Sequence, residues 1–118
     1  MTKEISIEKL LNCFTTTLGR FDCIHLDLPD DELLYIILEE LDIETITFLH
    51  INAIEKLAEN NLIPRDIVPL IENLRDRTMK LLKDKRSIYE IRNDTEWKAV
   101  RELAIEIKNE IRIKNIVN

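Results

Sequence analysis

A single glycine stands in 118 residues, and that scarcity excludes whole classes of chemistry. Loops that cradle phosphate need glycines where backbone amides approach the ligand; neither Gly-x-Gly-x-x-Gly nor a Walker-type sequence is present. The two histidines, His25 and His50, stand far apart with no Cys or carboxylate at metal-ligand spacing, so no zinc site is expected. No Ser–His–Asp or Cys–His arrangement can be read. The acids between Asp27 and Glu32 fail the calcium-loop pattern, which needs alternating oxygen ligands, a central glycine and a closing glutamate. The reading is therefore a non-enzyme with no catalytic residues, no metal and no cofactor.

No run of about 18 apolar residues occurs, which argues against a membrane span. The opening MTKEISIEKLL lacks a basic region followed by an apolar one, so no signal peptide is expected. Cytoplasmic residence follows as an expectation, with Cys13 and Cys23 as reduced, buried or half-buried thiols. The net charge of −6 argues against direct nucleic-acid binding, which relies on Lys and Arg to neutralise phosphates.

A second absence is local. From Phe21 to Glu55 there is no Lys and no Arg, although the chain has 17 of them. The same 35 residues carry ten carboxylates: Asp22, Asp27, Asp30, Asp31, Glu32, Glu39, Glu40, Asp42, Glu44 and Glu55. The stretch therefore bears −10, which leaves +4 for the rest of the chain. Solvent-facing helices ordinarily mix signs through i,i+4 pairs. The segments around Glu72–Arg77 and Glu96–Glu110 do so and this one does not.

What is present is helical. Leu, Ile, Glu and Lys dominate, β-alternation is sparse, and the expected architecture is an all-α, single-domain bundle of five to six helices over 1–118. Ser6 can cap a first helix, about Ile7 to Leu18, whose stripe is Ile7, Leu10, Leu11, Phe14, Leu18 and Phe21. Gly19 stands where a left-handed residue would end it. Pro29-Asp30-Asp31-Glu32 signals the start of a second helix, about Asp31 to Leu41, with Leu33, Leu34, Ile37, Leu38 and Leu41 on one face. Asp42 is placed to cap a third, about Ile43 to Glu59, with Ile43, Ile46, His50, Ala53, Ile54 and Leu57 as its core stripe. His50 then reads as a buried, hydrogen-bonded side chain, while Phe48 and Ile51 lie off the stripe. Asn60-Asn61 breaks that helix. Asp66 can cap a fourth, with Pro69 in its first turn and Ile67, Leu70, Ile71, Leu74, Thr78, Leu81 and Leu82 facing inward. Ser87-Ile88-Tyr89-Glu90 has the form of a capping box opening a short helix. Asp94 or Thr95 caps the last helix, which buries Trp97, Val100, Ala104, Ile107 and Ile111.

The acid-only stretch has two readings. One is a solvated face with helix-start acids. The other is a protein-binding patch, aromatic and aliphatic anchors within a charged rim. In the second, Glu32, Tyr35, Ile36 and Glu39 form a contact row with Tyr35 as anchor, and Asp27, Asp30, Asp31, Glu40, Asp42 and Glu44 supply the field and the rim.

Asn93-Asp94-Thr95-Glu96-Trp97-Lys98-Ala99-Val100-Arg101-Glu102-Leu103-Ala104-Ile105-Glu106-Ile107 is similar to the closing helices of small bacterial immunity proteins. These include the immunity proteins of contact-dependent growth inhibition and of related polymorphic toxins, which the chain also resembles in being short, acidic and helical. The resemblance implies binding and blocking one cognate toxin domain, often a nuclease such as an RNase. No functional residue carries over by position. A basic toxin cleft would fit the acidic patch, and the free protein is then expected as a monomer or weak dimer. The competing expectation is a helical adaptor or regulatory subunit that associates through apolar surface, with Phe48 and Ile51 at an interface.

Overall fold

Residues 6–22 and 27–117 are described by the computed structural model, with side chains described as far as residue 112. Cys23 and His25 lie outside the described residues. Ser6 opens the first helix: its hydroxyl accepts the Lys9 N–H at 3.2 Å, and α1 runs Ile7–Arg20. Leu10, Phe14 and Leu18 are buried along it, and Phe21 just beyond its end. Gly19 does not end α1 in the expected way. It lies within the helix, and among the described residues the left-handed backbone falls at Asn61, with φ 59°.

The next rod departs most from expectation. α2 (Asp30–Tyr35), a π-helical segment (Ile36–Leu41) and α3 (Asp42–Phe48) follow one another without a break. Asp42 is not a cap; its own backbone is helical, at φ −58° and ψ −52°. The break comes at Leu49 and His50, where His50 turns extended (φ −66°, ψ 146°) before α4 (Ile51–Glu59). His50 is therefore a half-exposed helix start rather than a core residue. Its ring Nδ1 accepts the Asn52 N–H at 3.1 Å, satisfying one of the amides left free at a helix N-terminus.

The π segment decides which side chains go inside. Leu33, Ile37, Leu41, Thr45 and Leu49 recur at four-residue steps and all are buried. A straight α-helix advances about 100° per residue, so such a row would drift roughly 160° from first to last. The wider π turns of Ile36–Leu41 take up part of that drift and help keep the row on the core. Ile43 and Ile46, expected in the core, are instead 64% and 50% exposed. Burial of each of Leu33, Ile37, Leu41 and Leu49 contributes about 1.5–3 kcal/mol before the cost of ordering the chain.

A short 3-10 turn (Arg65–Ile67) leads into α5 (Val68–Asp84), with Pro69 in the first turn. Asp66 belongs to that 3-10 turn and makes no side-chain cap. Ser87 and Glu90 form the expected capping box of α6 (Ile88–Asn93). α7 runs Thr95–Val117, and Asp94 Oδ1 accepts the Glu96 N–H at 2.8 Å at its start. Trp97 is buried, and its indole N–H donates to the Lys85 carbonyl at 2.9 Å, fixing the α5–α6 turn against α7.

The described residues thus form six helical rods with no strand, an all-α bundle around one hydrophobic cluster. α5 and α7 pack most extensively; α1 lies against α3, α4 and α7, and α6 against α7 and α2. No described helix is long and apolar enough to cross a membrane.

Candidate protein-binding face

The α2–α3 rod sorts the predicted residues by row. Opposite the buried row runs another at the same four-residue step: Asp31, Tyr35, Glu39, Ile43 and Thr47. All five are exposed, Tyr35 at 59%. A step of two residues turns about 200° on a helix, so this row points away from the core. Tyr35 and Glu39 of the expected contact row are brought together here. Glu32 and Ile36 lie one row over; Glu32 is exposed, but Ile36 packs against the core and is not available as an anchor. Ile43 and Ile46 are the apolar exposure that sequence reasoning missed. The signal was the unbroken four-residue recurrence from Leu33 to Leu49, which a 3.6-residue wheel obscures.

The acids do not form one undivided field, because cations from outside the stretch reach into it. The Arg20 guanidinium lies 2.8 Å from Glu40 and 3.2 Å from Glu44. Glu44 is also 3.2 Å from the Thr17 hydroxyl, on the side facing α1. Arg92 of α6 holds Asp30 at 3.0 Å and also donates to the Leu28 carbonyl at 3.0 Å. Arg65 lies 3.5 Å from Glu55. Asp30, Glu40 and Glu44 are thus tied to the rest of the fold. Asp27, Asp31, Glu32, Glu39 and Asp42 make no ion pair among the described residues. Asp31 and Glu32 also stand in the first turn of α2, where the helix dipole favours negative charge.

The outer face of α2–α3 therefore joins large apolar side chains (Tyr35, Ile43, Ile46) to unpaired carboxylates (Asp31, Glu39, Asp42). Such a face can place an aromatic and two aliphatic groups in pockets of a partner while its acids meet Lys or Arg. Phe48 and Ile51 part company. Phe48 is half-buried beside a groove of about 290 Å³ between α1 and α3, and Ile51 is 36% exposed. Compared with protein-family models, curated proteins and solved structures, the chain matches none.

Proposed function

We propose that this protein acts by binding a basic protein, and that the partner is a toxin domain which it neutralises stoichiometrically. The contact is the outer face of α2–α3. The observation that carries the reading is Ile43, at 64% exposure, one turn after Glu39 and next to Asp42, which have no ion-pair partner among the described residues. An exposed β-branched side chain adds little to the free fold, and unpaired acids beside it repel one another. A basic partner relieves both conditions: it removes apolar area from water and pairs the acids.

The toxin reading extends this chemistry. A nuclease needs a positive cleft to hold its substrate, and a negative helix face is complementary to it. Charge steering then speeds capture. Self-association through the same face is opposed by charge. A two-fold contact would set Asp31, Glu39 and Asp42 against carboxylates of the second copy.

The test is an affinity pull-down from native lysate at low and high salt, with wild-type protein and the Glu39→Lys/Ile43→Arg double variant. Recovery of one basic polypeptide by wild type, weakened by salt and lost with the variant, is the expected result. Co-expression of this protein should then relieve the polypeptide's toxicity. Equal recovery by the variant removes this face from the function. Binding without relief of toxicity leaves an adaptor rather than an inhibitor.

A further inference from the structure

The outer row of α2–α3 is long but narrow. From Asp31 to Thr47 it spans roughly 24 Å and is one helix wide, whereas a stable interface covers about 800 Å² on each partner. A contact of that size needs a second element beside the rod. Two helices are tied to its flanks by ion pairs, α1 through Arg20–Glu40 and α6 through Arg92–Asp30. No large apolar side chain of α1 among the described residues is exposed. α6 carries the most exposed one in the described chain, Tyr89 at 72%.

Tyr89 stands three residues before Arg92 and therefore shares its side of α6. That side meets α2: Arg92 reaches both Asp30 and the Leu28 carbonyl. Inside, Ile91 of α6 and Ile37 of the π segment line one cavity with Phe21 and Trp97. Each isoleucine lies two positions after an exposed tyrosine, Tyr89 or Tyr35, so each helix sends its isoleucine inward and its tyrosine to solvent. The packing that orients one tyrosine thus orients the other, with an ion pair closing the seam between them.

We infer that the docking face continues from α2–α3 across the Arg92–Asp30 ion pair onto α6, with Tyr89 as a second aromatic anchor, and that its occupant is a folded basic domain. This rests on the reading that the outer face binds a protein. Two helix widths by 24 Å match a domain surface, whereas a single peptide segment would cover one row. Tyrosines at either side of the seam supply large, stiff contact area, as interface anchors do. The unpaired acids fix the sign of the partner's charge.

The experiment places p-benzoylphenylalanine singly at Tyr35, Ile43, Tyr89 and, as a control, exposed Lys80 of α5. Each purified protein is irradiated in native lysate and the adducts are sequenced by mass spectrometry. Positions 35, 43 and 89 should mark the same basic polypeptide, each with roughly tenfold more adduct than position 80, in line with a centrally placed anchor. The attachment points from 35 and 89 should fall on separate segments of that polypeptide. If 35 and 43 share a polypeptide that 89 does not touch, the extension onto α6 is overturned and the α2–α3 face stands. Attachment of 35 and 89 within one stretch of about 16 residues, the reach of one helix along this face, overturns the folded-domain occupant. Adducts to a second copy of this chain overturn a basic partner. No shared polypeptide at 35 and 43 overturns the underlying reading.

Discussion

Arg20, the last cation before the acid-only stretch, holds Glu40 at 2.8 Å. It also meets Glu44, whose side chain is 17% exposed, at 3.2 Å. One arginine at the end of α1 thus spans two successive turns of the α2–α3 rod and clamps its inner acidic row to the bundle. Removing it would leave a largely buried carboxylate with the Thr17 hydroxyl as its hydrogen-bond partner among the described residues. Arg20→Ala should cost about 1–2 kcal/mol, more than an exposed ion pair and less than a fully buried one. Urea denaturation measures it. A midpoint unchanged within error would mean that Glu44 is solvated without its partner.

The ion pairs also show where sequence reading stops. A run without cations is visible along the chain, yet Arg20 and Arg92 approach it through folding, from 20 and 62 positions away. Local chemistry was legible. Ser6 and the Ser87–Glu90 box cap as expected because a cap needs only residues three apart. The stripes of α1, α5 and α7 were legible because those helices keep a 3.6-residue period. Asp42 and Asp66 have the chemistry of caps but do not cap, since a cap residue permits a helix start without forcing one. Asn61 adopts the left-handed backbone expected of Gly19, and there it closes the turn after α4. The candidate face was half-legible. The wheel places Tyr35 and Glu39 outside, while Ile43 and Ile46 read as core only if a new helix starts at Asp42, where the rod instead runs on without a break.

That continuity separates two nearby positions. Leu41 is fully buried and Ile43 mostly exposed, although two separate helices meeting at Asp42 would put both in core stripes. Leu41→Ala should destabilise by about 2–5 kcal/mol through lost burial and the cavity left behind. Ile43→Ala should change stability by less than about 0.5 kcal/mol. Denaturant midpoints of the two variants decide it. Comparable losses would put Ile43 in the core and remove it from the candidate face.

Thr45 and Thr78 are fully buried, and neither hydroxyl has a hydrogen-bond partner among the described residues. Their polar oxygens weaken packing that a methyl group would complete. Thr45→Val keeps the shape and removes the unpaired hydroxyl, and should stabilise the fold by about 1 kcal/mol. Thr17→Val is the contrast. The Thr17 hydroxyl lies 2.9 Å from the Cys13 carbonyl and 3.2 Å from Glu44, so its loss should destabilise. Thermal unfolding of both variants under one condition tests the pair; a lower midpoint for Thr45→Val would show that its hydroxyl is satisfied.

The turn that carries α6 depends on a pair with a defined pH response. Lys85 Nζ lies 2.8 Å from Asp94 Oδ2. The Lys85 hydrogen bond holds the Asp94 carboxyl below its ordinary 3.8, and the backbone N–H of Glu96 lowers it further. The same bond to Asp94 raises the Lys85 ammonium above 10.5. A depressed carboxylate contributes stability that is fully present above its unfolded value and is lost as pH falls through the folded one. The raised ammonium contributes stability that is present below 10.5 and lost as pH rises through its folded value. Both contributions are therefore intact at neutral pH. Asp94→Asn keeps an acceptor for the Glu96 N–H at the start of α7 but loses the ion pair. Its melting temperature should be lower than that of wild type at pH 7, and the difference should shrink as both proteins are taken below about pH 4. A difference that stays constant into acid would mean that the charge on Asp94 does not stabilise this turn, and that the helix cap alone holds it.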